Sequence, residues 1–294
     1  MPRKVRLDAE LVRRGLARSR EHASELIFAG RVTIRGFAAH KAATAVQTDA
    51  PVVVADDVDD PGWSSRGAHK LLGALEAFEP AGLTVADRRC LDAGASTGGF
   101  TDVLLRRGVR EVVAVDVGYG QLDWKLRTDE RVRVHDRTNI RALSSTDIDG
   151  AVDVVVADLS FISLRLVLPA LTACSRSGAD LVLMVKPQFE VGKQRLGAGG
   201  VVRDSQQRAE AVLEVVNLAE NNGLGLMGVV ASPLPGPSGN VEYFLWLRDA
   251  AAGRGDPETL VTEAVRQGPQ GPQTQGTPGG AGGRAEQQRQ GGAG

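Results

Sequence analysis

The chain contains few of the residues that mark secreted, metal-binding or membrane-spanning proteins. Only two cysteines, Cys90 and Cys174, occur among 294 residues, and neither has a neighbouring thiol or a metal-ligand spacing. This scarcity argues against a disulfide framework and a bound metal, and favours buried thiols in a reducing compartment. No apolar run reaches the ~20 residues that a membrane-spanning helix needs, and the charged start lacks a signal-peptide core. We therefore expect a soluble, cytoplasmic protein without a metal.

Positive and negative charges nearly balance over the whole chain, but they are distributed unevenly along it. The formal net charge is -1, whereas the first 50 residues contain ten Lys or Arg against five Asp or Glu. Basic side chains on a small surface suit a polyanion such as RNA, because each neutralised phosphate releases counterions. A solvated charged face is the other interpretation of such a segment.

The N-terminal part of the chain is predicted to form a compact module of two short helices and short strands. Apolar residues recur at helical spacing before and after Gly15, with Asp8 and Ser19 as the expected N-caps of the two helices. Residues 31–35 and 52–54 have the alternating or apolar pattern of strands. A module of this size lies near the lower limit for independent folding.

A glycine-rich turn follows an apolar strand that ends in Asp92. Gly94, Gly98 and Gly99 can take positive φ and let the backbone approach a ligand, and the helix that follows offers unpaired amides. A second apolar strand ends in Asp116, at the place where Rossmann-like units bind ribose hydroxyls. Because the spacing is not G-x-G-x-x-G, we expect S-adenosylmethionine rather than a dinucleotide, with Asp92 at its amino-acid end and Asp116 at its ribose. An ordinary strand-to-helix turn is the alternative.

From residue 64 onward, apolar strands alternate with helical patterns. This alternation predicts an α/β fold with a doubly wound, mostly parallel sheet, which binds ligands at the carboxyl ends of its strands. Two further strands, at 226–232 and 242–247, are expected to form an antiparallel hairpin at the sheet edge. The predicted boundaries are 1–55 for the small α+β module, 56–63 for an acidic linker, 64–266 for the α/β domain and 267–294 for a disordered Gly-, Gln- and Pro-rich tail.

Four titratable residues, Lys70, Asp158, Lys186 and Glu242, are far apart in sequence, but the predicted sheet can bring them close to the glycine-rich turn. Two lysines and two carboxylates would make a site that handles protons. A ribose hydroxyl is a poor nucleophile, so its methylation requires removal of its proton. A lysine becomes a usable base only when burial or a second cation lowers its pKa from about 10.4 toward ~7 to 8. Taken singly, each residue is better explained as a loop cap, a strand end or a surface ion pair.

The N-terminal motif R-L-D-x-x-L-V-x-x-G-L-A-x-S-R, which begins at Arg6, resembles the S4 RNA-binding domain. In that family a helix pair presents basic side chains to RNA phosphates. The resemblance implies this role for four residues, which are Arg6, Arg18, Arg20 and Lys41.

Five downstream motifs resemble the TlyA family of rRNA methyltransferases and occur in the family's order. They are Ser65-Arg-Gly-Ala-His-Lys-Leu, Asp92-Ala-Gly-Ala-Ser-Thr-Gly-Gly-Phe-Thr, Ala157-Asp-Leu-Ser-Phe-Ile-Ser, Val185-Lys-Pro-Gln-Phe-Glu and Gly239-Asn-Val-Glu-Tyr-Phe. The family joins an S4 domain to an FtsJ-like, Rossmann-like class I methyltransferase domain with a Lys-Asp-Lys-Glu tetrad. The match implies catalytic roles for Lys70, Asp158, Lys186 and Glu242, with Lys186 as the base. It also implies cofactor-binding roles for Asp92, Gly94, Ser96, Gly98, Asp116 and Asp136, with Phe161 beside the cofactor pocket.

The resemblance implies S-adenosylmethionine-dependent 2′-O-methylation of cytidines in ribosomal RNA, with ribosomal subunits as partners and without a membrane role. The family also carries an older haemolysin label. Two alternatives stay open from the sequence: a non-catalytic RNA-binding protein whose cofactor pocket is vestigial, and a membrane-active protein. The sequence does not indicate an oligomeric state.

Overall fold

A computed structural model describes residues 4–17, 20–55, 62–236 and 238–269 of the chain. The predicted cap Ser19, the predicted RNA-binding residue Arg18, most of the predicted linker and nearly all of the predicted tail lie outside these described residues. Within them, the chain forms a small α+β module followed by an α/β domain.

The N-terminal module packs two helices against short antiparallel strands. Its elements are β1 (Lys4–Arg6), α1 (Leu7–Arg13), α2 (Arg20–Phe28), β2 (Val32–Ile34), β3 (Phe37–Ala38), β4 (Ala45–Gln47) and β5 (Val52–Val54). Strands β1 and β4 pair with each other, and β2 lies between β3 and β5. The core is made by Leu7, Leu11, Ala23, Leu26, Ile27 and Val32, which are nearly or completely buried. The two helices and β2 and β5 confirm the prediction, whereas β1, β3 and β4 are additional.

The expectation that Asp8 caps α1 is wrong. The N-cap is Arg6, and Asp8 is the second residue of the helix. The Asp8 side chain is nearly buried and forms ion pairs with Arg6 and Arg20. Its Oδ1 atom also accepts a hydrogen bond of 2.8 Å from the Ala9 amide, so the carboxylate contacts the first turn from inside the helix and not from the N-cap position.

The α/β domain is built on one seven-stranded sheet. Its elements are α3 (Gly67–Phe78), β6 (Arg89–Ala93), α4 (Gly99–Arg106), β7 (Glu111–Val115), α5 (Trp124–Arg127), β8 (Val132–His135), β9 (Val152–Ala157), α6 (Leu168–Ala173), β10 (Ser175–Val185), α7 (Pro187–Glu190), α8 (Ser205–Asn221), β11 (Leu224–Ala231), β12 (Tyr243–Asp249) and α9 (Pro257–Gln267). The strand order is β11-β12-β10-β9-β6-β7-β8. Strand β12 runs antiparallel to both of its neighbours, β10 and β11, and the other strand pairs of this sheet are parallel. The predicted mostly parallel sheet with an antiparallel edge hairpin is confirmed.

Helices cover both faces of this sheet. On one face, α6, α8 and α9 contribute to a core that includes Leu171, Val212 and Val261. On the other face, α3 and α4 contribute Leu75 and Leu104 to a second core. Strand β9 is buried along its whole length, as its near-continuous apolar run predicts for a central strand of a parallel sheet.

Three segments of this domain contain short helical turns. Helix α5 begins at Trp124, where Asp123 caps it by accepting a hydrogen bond from the Lys125 amide. A 3-10 turn (Leu164–Leu166) precedes α6. Two 3-10 turns (Lys193–Arg195 and Ala198–Gly200) follow α7 before α8 begins.

The topology brings four chain segments to one edge of the sheet. The order of the strands reverses between β6 and β9, and the register pairs Ala93 with Ala157 at the carboxyl ends of these two strands. Such a switch point is where open α/β sheets bind ligands. Strand β12 runs the opposite way, so its first residue, Tyr243, pairs with Val185 at the carboxyl end of β10. The end of β10 and the beginning of β12 therefore meet at the same edge.

Candidate active site

The glycine-rich turn between β6 and α4 forms one wall of a cleft with a volume of about 1160 Å³. Gly94 and Gly98 have φ of 88° and 99°, which confirms the positive φ predicted for them. A Cβ atom on Gly94 would lie 2.6 Å from the Asp158 carbonyl oxygen, and one on Gly98 would lie 2.2 Å from Leu126. These glycines are therefore required both by the backbone angle and by the packing of the turn.

Gly99 differs from the prediction, because its φ is not positive. It begins α4 with helical geometry, and a Cβ atom here would lie 2.3 Å from Ser65 Oγ and 2.9 Å from the Ala68 amide nitrogen. Glycine is needed at this position because α3 approaches α4 closely, and not because of a turn. Ser65 also lines the cleft.

Lys70 and Glu242 form a buried ion pair next to this cleft. Lys70 Nζ donates a hydrogen bond of 2.6 Å to Glu242 Oε2, and the two side chains are 11% and 0% exposed. A Cβ atom on Gly236 would lie 2.5 Å from Glu242 Oε1, so a glycine there leaves room for the carboxylate. Glu242 Oε1 is itself buried and accepts no hydrogen bond from the described residues. Glu242 therefore keeps one acceptor oxygen after pairing with Lys70.

Lys186 and Asp158 form the second ion pair. Lys186 Nζ lies 2.6 Å from Asp158 Oδ1 and donates a hydrogen bond of 3.0 Å to Ser160 Oγ. Lys186 is nearly buried, whereas Asp158 is about one-fifth exposed. Lys70, Asp158, Ser160 and Lys186 all line the cleft. The four residues expected to form a tetrad thus come together as two lysine–carboxylate pairs, and Ser160 is a contact that the sequence did not indicate.

Asp92 is completely buried behind the glycine-rich turn. Its Oδ2 accepts a hydrogen bond of 2.7 Å from Thr101 Oγ1, whereas Oδ1 has no hydrogen-bond partner among the described residues. Burial raises the pKa of the carboxyl group to about 7, although the Thr101 hydrogen bond opposes this shift, and the charges of Asp158 and Asp116 add to it. A buried acceptor with a raised pKa is a group that a cationic ligand would stabilise in its charged form.

Asp116 and Asp136 shape the far side of the turn. Both carboxylate oxygens of Asp116 accept backbone hydrogen bonds, from Ser96 at 2.9 Å and from Gly118 at 2.6 Å. Asp136 Oδ2 accepts hydrogen bonds from the Gly120 amide and from Arg127 Nη2. Of the predicted cofactor residues, Gly94 and Ser96 line the cleft directly. Asp92, Gly98, Asp116 and Asp136 do not line it, but Asp116 accepts a hydrogen bond from Ser96, and Asp136 accepts hydrogen bonds from Gly120 and Arg127, which do line it.

Phe161, which is expected beside the cofactor pocket, is a surface residue of the loop after β9. Its side chain is 91% exposed and does not line the cleft. Instead, its ring packs on Phe189, with a centroid distance of 5.5 Å, and its backbone has a φ of 63°. The loop after β9 therefore directs this ring toward the loop after β10.

Several cleft residues were not indicated by the sequence motifs. Tyr119 and Trp124 line the cleft, and both side chains remain more than half exposed although they are large aromatics. Phe28 and His40 of the N-terminal module border the same cleft. The only signal for these positions in the sequence is their aromatic or imidazole character within polar segments, which is too weak to identify a site.

The predicted RNA-binding residues lie on the surface of the N-terminal module. Arg6 and Arg20 are 52% and 60% exposed, and both pair with Asp8. Lys41 is exposed. The structure places Arg6 and Arg20 side by side and does not bring Lys41 into their ion pairs.

Two features of the described residues bear on other classes of function. No cluster of three or more His, Cys, Asp or Glu has the arrangement of a metal site in that part of the chain. No helix among the described residues has both the length and the apolar character needed to cross a membrane.

Comparison with known proteins adds information that the geometry does not contain. Residues 63–249 match the family model of FtsJ-like methyltransferases, and residues 5–36 match that of S4 domains. The chain is 60% identical over 272 residues to the 16S/23S rRNA (cytidine-2'-O)-methyltransferase TlyA of Mycobacterium tuberculosis, which covers 92% of this chain and 100% of that protein.

Two further relatives have similar lengths. The chain is 39% identical over 269 residues to YqxC of Bacillus subtilis, a candidate rRNA methyltransferase, with 90% of this chain and 94% of that protein covered. The solved structure of a hemolysin candidate from Streptococcus thermophilus matches with a TM-score of 0.72 at 37% identity. This match covers 91% of this chain and 96% of that one.

Proposed function

Because the chain belongs to the TlyA family of FtsJ-like methyltransferases, we propose that it transfers the methyl group of S-adenosylmethionine to the 2′-hydroxyl of a cytidine in ribosomal RNA. The observation that carries this proposal is the position of Lys186. Its amine contacts Asp158 and Ser160 at the carboxyl end of β10, in the cleft lined by the glycine-rich turn.

Lys186 is the proposed general base. In its neutral form the amine would accept the proton of the ribose hydroxyl as that oxygen takes the methyl group, and the sulfur of the cofactor would leave as a neutral thioether. Asp158, 2.6 Å away, stabilises the ammonium group that results, and Ser160 fixes the direction of the amine. General acid–base catalysis of this kind contributes about 10²- to 10⁴-fold to the rate.

Lys70 and Glu242 are proposed to position the substrate. Their pair is buried more deeply than that of Lys186 and Asp158. Lys70 lines the cleft, whereas Glu242 is completely buried and does not line it, so Glu242 would act by fixing the direction of the Lys70 amine. Holding the reacting oxygen in line with the methyl group is worth several kcal/mol of barrier in well-oriented reactions.

S-adenosylmethionine, when bound, supplies an electrophilic methyl group, and the residues of the turn fit it. Backbone groups of Gly94 and Ser96 line the cleft, and the unpaired Asp92 Oδ1 atom lies behind them. We assign Asp92 to the positive charge of the amino-acid end and Asp116 to the ribose. Asp136 supports the adenosine side through the Gly120 amide.

The N-terminal module is proposed to bind the RNA. Exposed basic side chains on α2 and β1, together with Lys41, supply a surface that phosphates favour. Ribosomal subunits are the proposed partners, because the relatives that carry an assigned substrate act on ribosomal RNA.

The proposal is tested by incubating the purified full chain with methyl-labelled S-adenosylmethionine and unmethylated ribosomal subunits of each size. Label is expected on the ribose of one or more cytidines, which partial alkaline hydrolysis and mass spectrometry locate. The Lys186→Met variant is the control for contaminating methyltransferases. If the chain binds subunits but transfers no methyl group, it is a non-catalytic RNA-binding protein. Label on a base would instead contradict the ribose chemistry.

A further inference from the structure

The N-terminal module holds a buried carboxylate beneath its basic surface. Asp8 is 3% exposed. Arg6 donates to both of its oxygens, from Nε to Oδ1 at 3.1 Å and from Nη2 to Oδ2 at 2.9 Å. Arg20 donates from Nη2 to the same Oδ2 atom, also at 2.9 Å. Two guanidinium groups that would otherwise repel each other are therefore held side by side.

This arrangement leaves the arginines accessible while fixing their orientation. More than half of each arginine side chain is exposed to solvent. The guanidinium group is a rigid planar fork, so a contact on one edge determines where its other donors point. The hydrogen bond from Arg6 holds the pKa of Asp8 far below its usual range despite burial, so the carboxylate stays charged at neutral pH.

We propose that Arg6 and Arg20, held together by Asp8, form one binding site for a single phosphodiester group of RNA. Asp8 acts in it as a positioning residue. Arginine forks bind phosphate oxygens in paired hydrogen bonds, and two neighbouring forks can share one phosphate. This inference rests on the proposed function, because it assumes that the module binds RNA.

A second carboxylate on the same helix provides a matched control. Glu10 is 1% exposed and pairs with Arg13 and Arg14. Arg14, however, donates its Nη1 and Nη2 to the carbonyl oxygens of Ala50 and Thr48, and only 21% of its side chain is exposed. The ion pairs of Glu10 therefore help to hold α1 against the rest of the module. They do not provide a second pair of exposed guanidinium groups.

The number of phosphates is measured by the salt dependence of binding. The probe is unmethylated bacterial ribosomal subunits, titrated with the full chain at several salt concentrations. Each phosphate contact contributes about 0.7 to 0.9 to the slope of log affinity against log salt. The salt slope of the Arg6→Ala/Arg20→Ala double variant is expected to fall by one such increment. Its affinity should be only slightly lower than that of whichever single variant binds more weakly. If the salt slope falls by two increments and the affinity losses of the two single variants add up in the double variant, the two arginines bind separate phosphates and the inference is overturned.

The role of Asp8 is tested by Asp8→Asn, for which two explanations predict opposite results. If charge alone matters, removing a carboxylate from an RNA-binding surface strengthens binding and steepens the salt slope. If Asp8 positions the arginines, binding weakens by about tenfold at every salt concentration, and Asp8→Glu restores part of it. Glu10→Gln, whose thermal unfolding is compared with that of Asp8→Asn, is expected to leave the affinity unchanged.

The outcomes separate this inference from the proposed function. Unchanged or tighter binding by Asp8→Asn, or equal weakening by Glu10→Gln, would overturn the shared phosphate site even if the natural chain binds and methylates subunits. A natural chain that neither binds subunits nor methylates their RNA would instead contradict the proposed function itself.

Discussion

Lys70 Nζ and Glu242 Oε2 lie 2.6 Å apart although their residues are separated by 172 positions in the sequence. This contact joins α3, which precedes the first strand of the sheet, to the residue that precedes β12. Both side chains are nearly inaccessible to solvent. Each charge is therefore compensated mainly by the other, and removing one leaves the other buried without its partner.

The stability of the domain is predicted to depend on both members of this pair. Lys70→Met or Glu242→Gln alone should lower the free energy of unfolding by about 3 to 5 kcal/mol, because each leaves one buried charge uncompensated. The double variant should recover a large part of that loss, because no buried charge remains. Urea denaturation of the natural chain, the two single variants and the double variant measures the interaction energy between the two side chains. Additive losses in the double variant would show that the ion pair does not couple the two sites.

Methyl transfer is predicted to require the Lys186 amine while cofactor binding does not. Lys186→Met keeps the length of the side chain and should reduce the rate by at least about 100-fold. Calorimetry with S-adenosylmethionine should show nearly the same affinity as the natural chain. Lys125→Met, which removes an exposed lysine from α5, is the matched control and should retain activity. A Lys186→Met variant that turns over normally would remove the base assignment.

Ser160→Ala is expected to give a smaller effect of the same kind. Ser160 Oγ accepts a hydrogen bond from Lys186 Nζ, so its loss leaves the ion pair with Asp158 but frees the amine to rotate. A loss of about tenfold in kcat with an unchanged KM for RNA would indicate positioning. A change in KM alone would place Ser160 in substrate binding instead.

Asp92 is predicted to make the stability of the cofactor-free protein depend on pH. Its folded pKa is about 7, above the ordinary value near 4, because the carboxyl group is buried. Between these values the folded protein holds a proton on Asp92 that the unfolded chain releases, so the contribution of Asp92 to stability is largest below about pH 4 and falls as the pH rises to about 7. Asp92→Asn should lack this component, and its stability relative to the natural chain should rise with pH. Equal pH dependence in urea denaturation of both proteins would contradict the assignment.

The sequence could predict where the strands end, but not which side chains meet there. Asp92, Asp158 and Lys186 each follow an apolar run, and parallel strands bring their carboxyl ends to one edge, so their proximity follows from the periodicity. The pairing of Lys70 with Glu242 cannot be predicted from this periodicity. That pairing depends on β12 running antiparallel to β10, which makes its first residues, and not its last, reach the site.

Close contacts between helices and buried carboxylates escaped prediction for a similar reason. Gly99 looks like a turn glycine in the sequence, but its need for glycine comes from Ser65 on another segment. Aspartate is a common N-cap residue, which is why Asp8 is expected to cap α1. Its side chain instead pairs with Arg6 and with Arg20, and Arg20 lies on the next helix. Local propensity describes a residue and its neighbours, whereas these roles are decided by packing between elements.

The loops that carry Asp158 and Lys186 are joined by Glu190. Its side chain is 3% exposed and accepts hydrogen bonds from Ser163 Oγ and from the Leu164 amide, the latter at 2.8 Å. Burial raises the pKa of this carboxyl group, and the hydrogen bonds oppose the shift. Because Glu190 follows Lys186 by one helical turn, it fixes the loop after β9 relative to the proposed base.

Glu190→Gln is therefore predicted to affect catalysis more than binding. An amide can replace only one of the two accepting oxygens, so the loop that bears Asp158 should shift relative to Lys186 and kcat should fall by about tenfold, while the affinity for S-adenosylmethionine is retained. Glu214→Gln is the control, because Glu214 pairs with the same Arg165 from a partly exposed position. Single-turnover rates and calorimetry separate the two effects. A fall in cofactor affinity with an unchanged rate would show that Glu190 supports the cofactor cleft and not the position of the base.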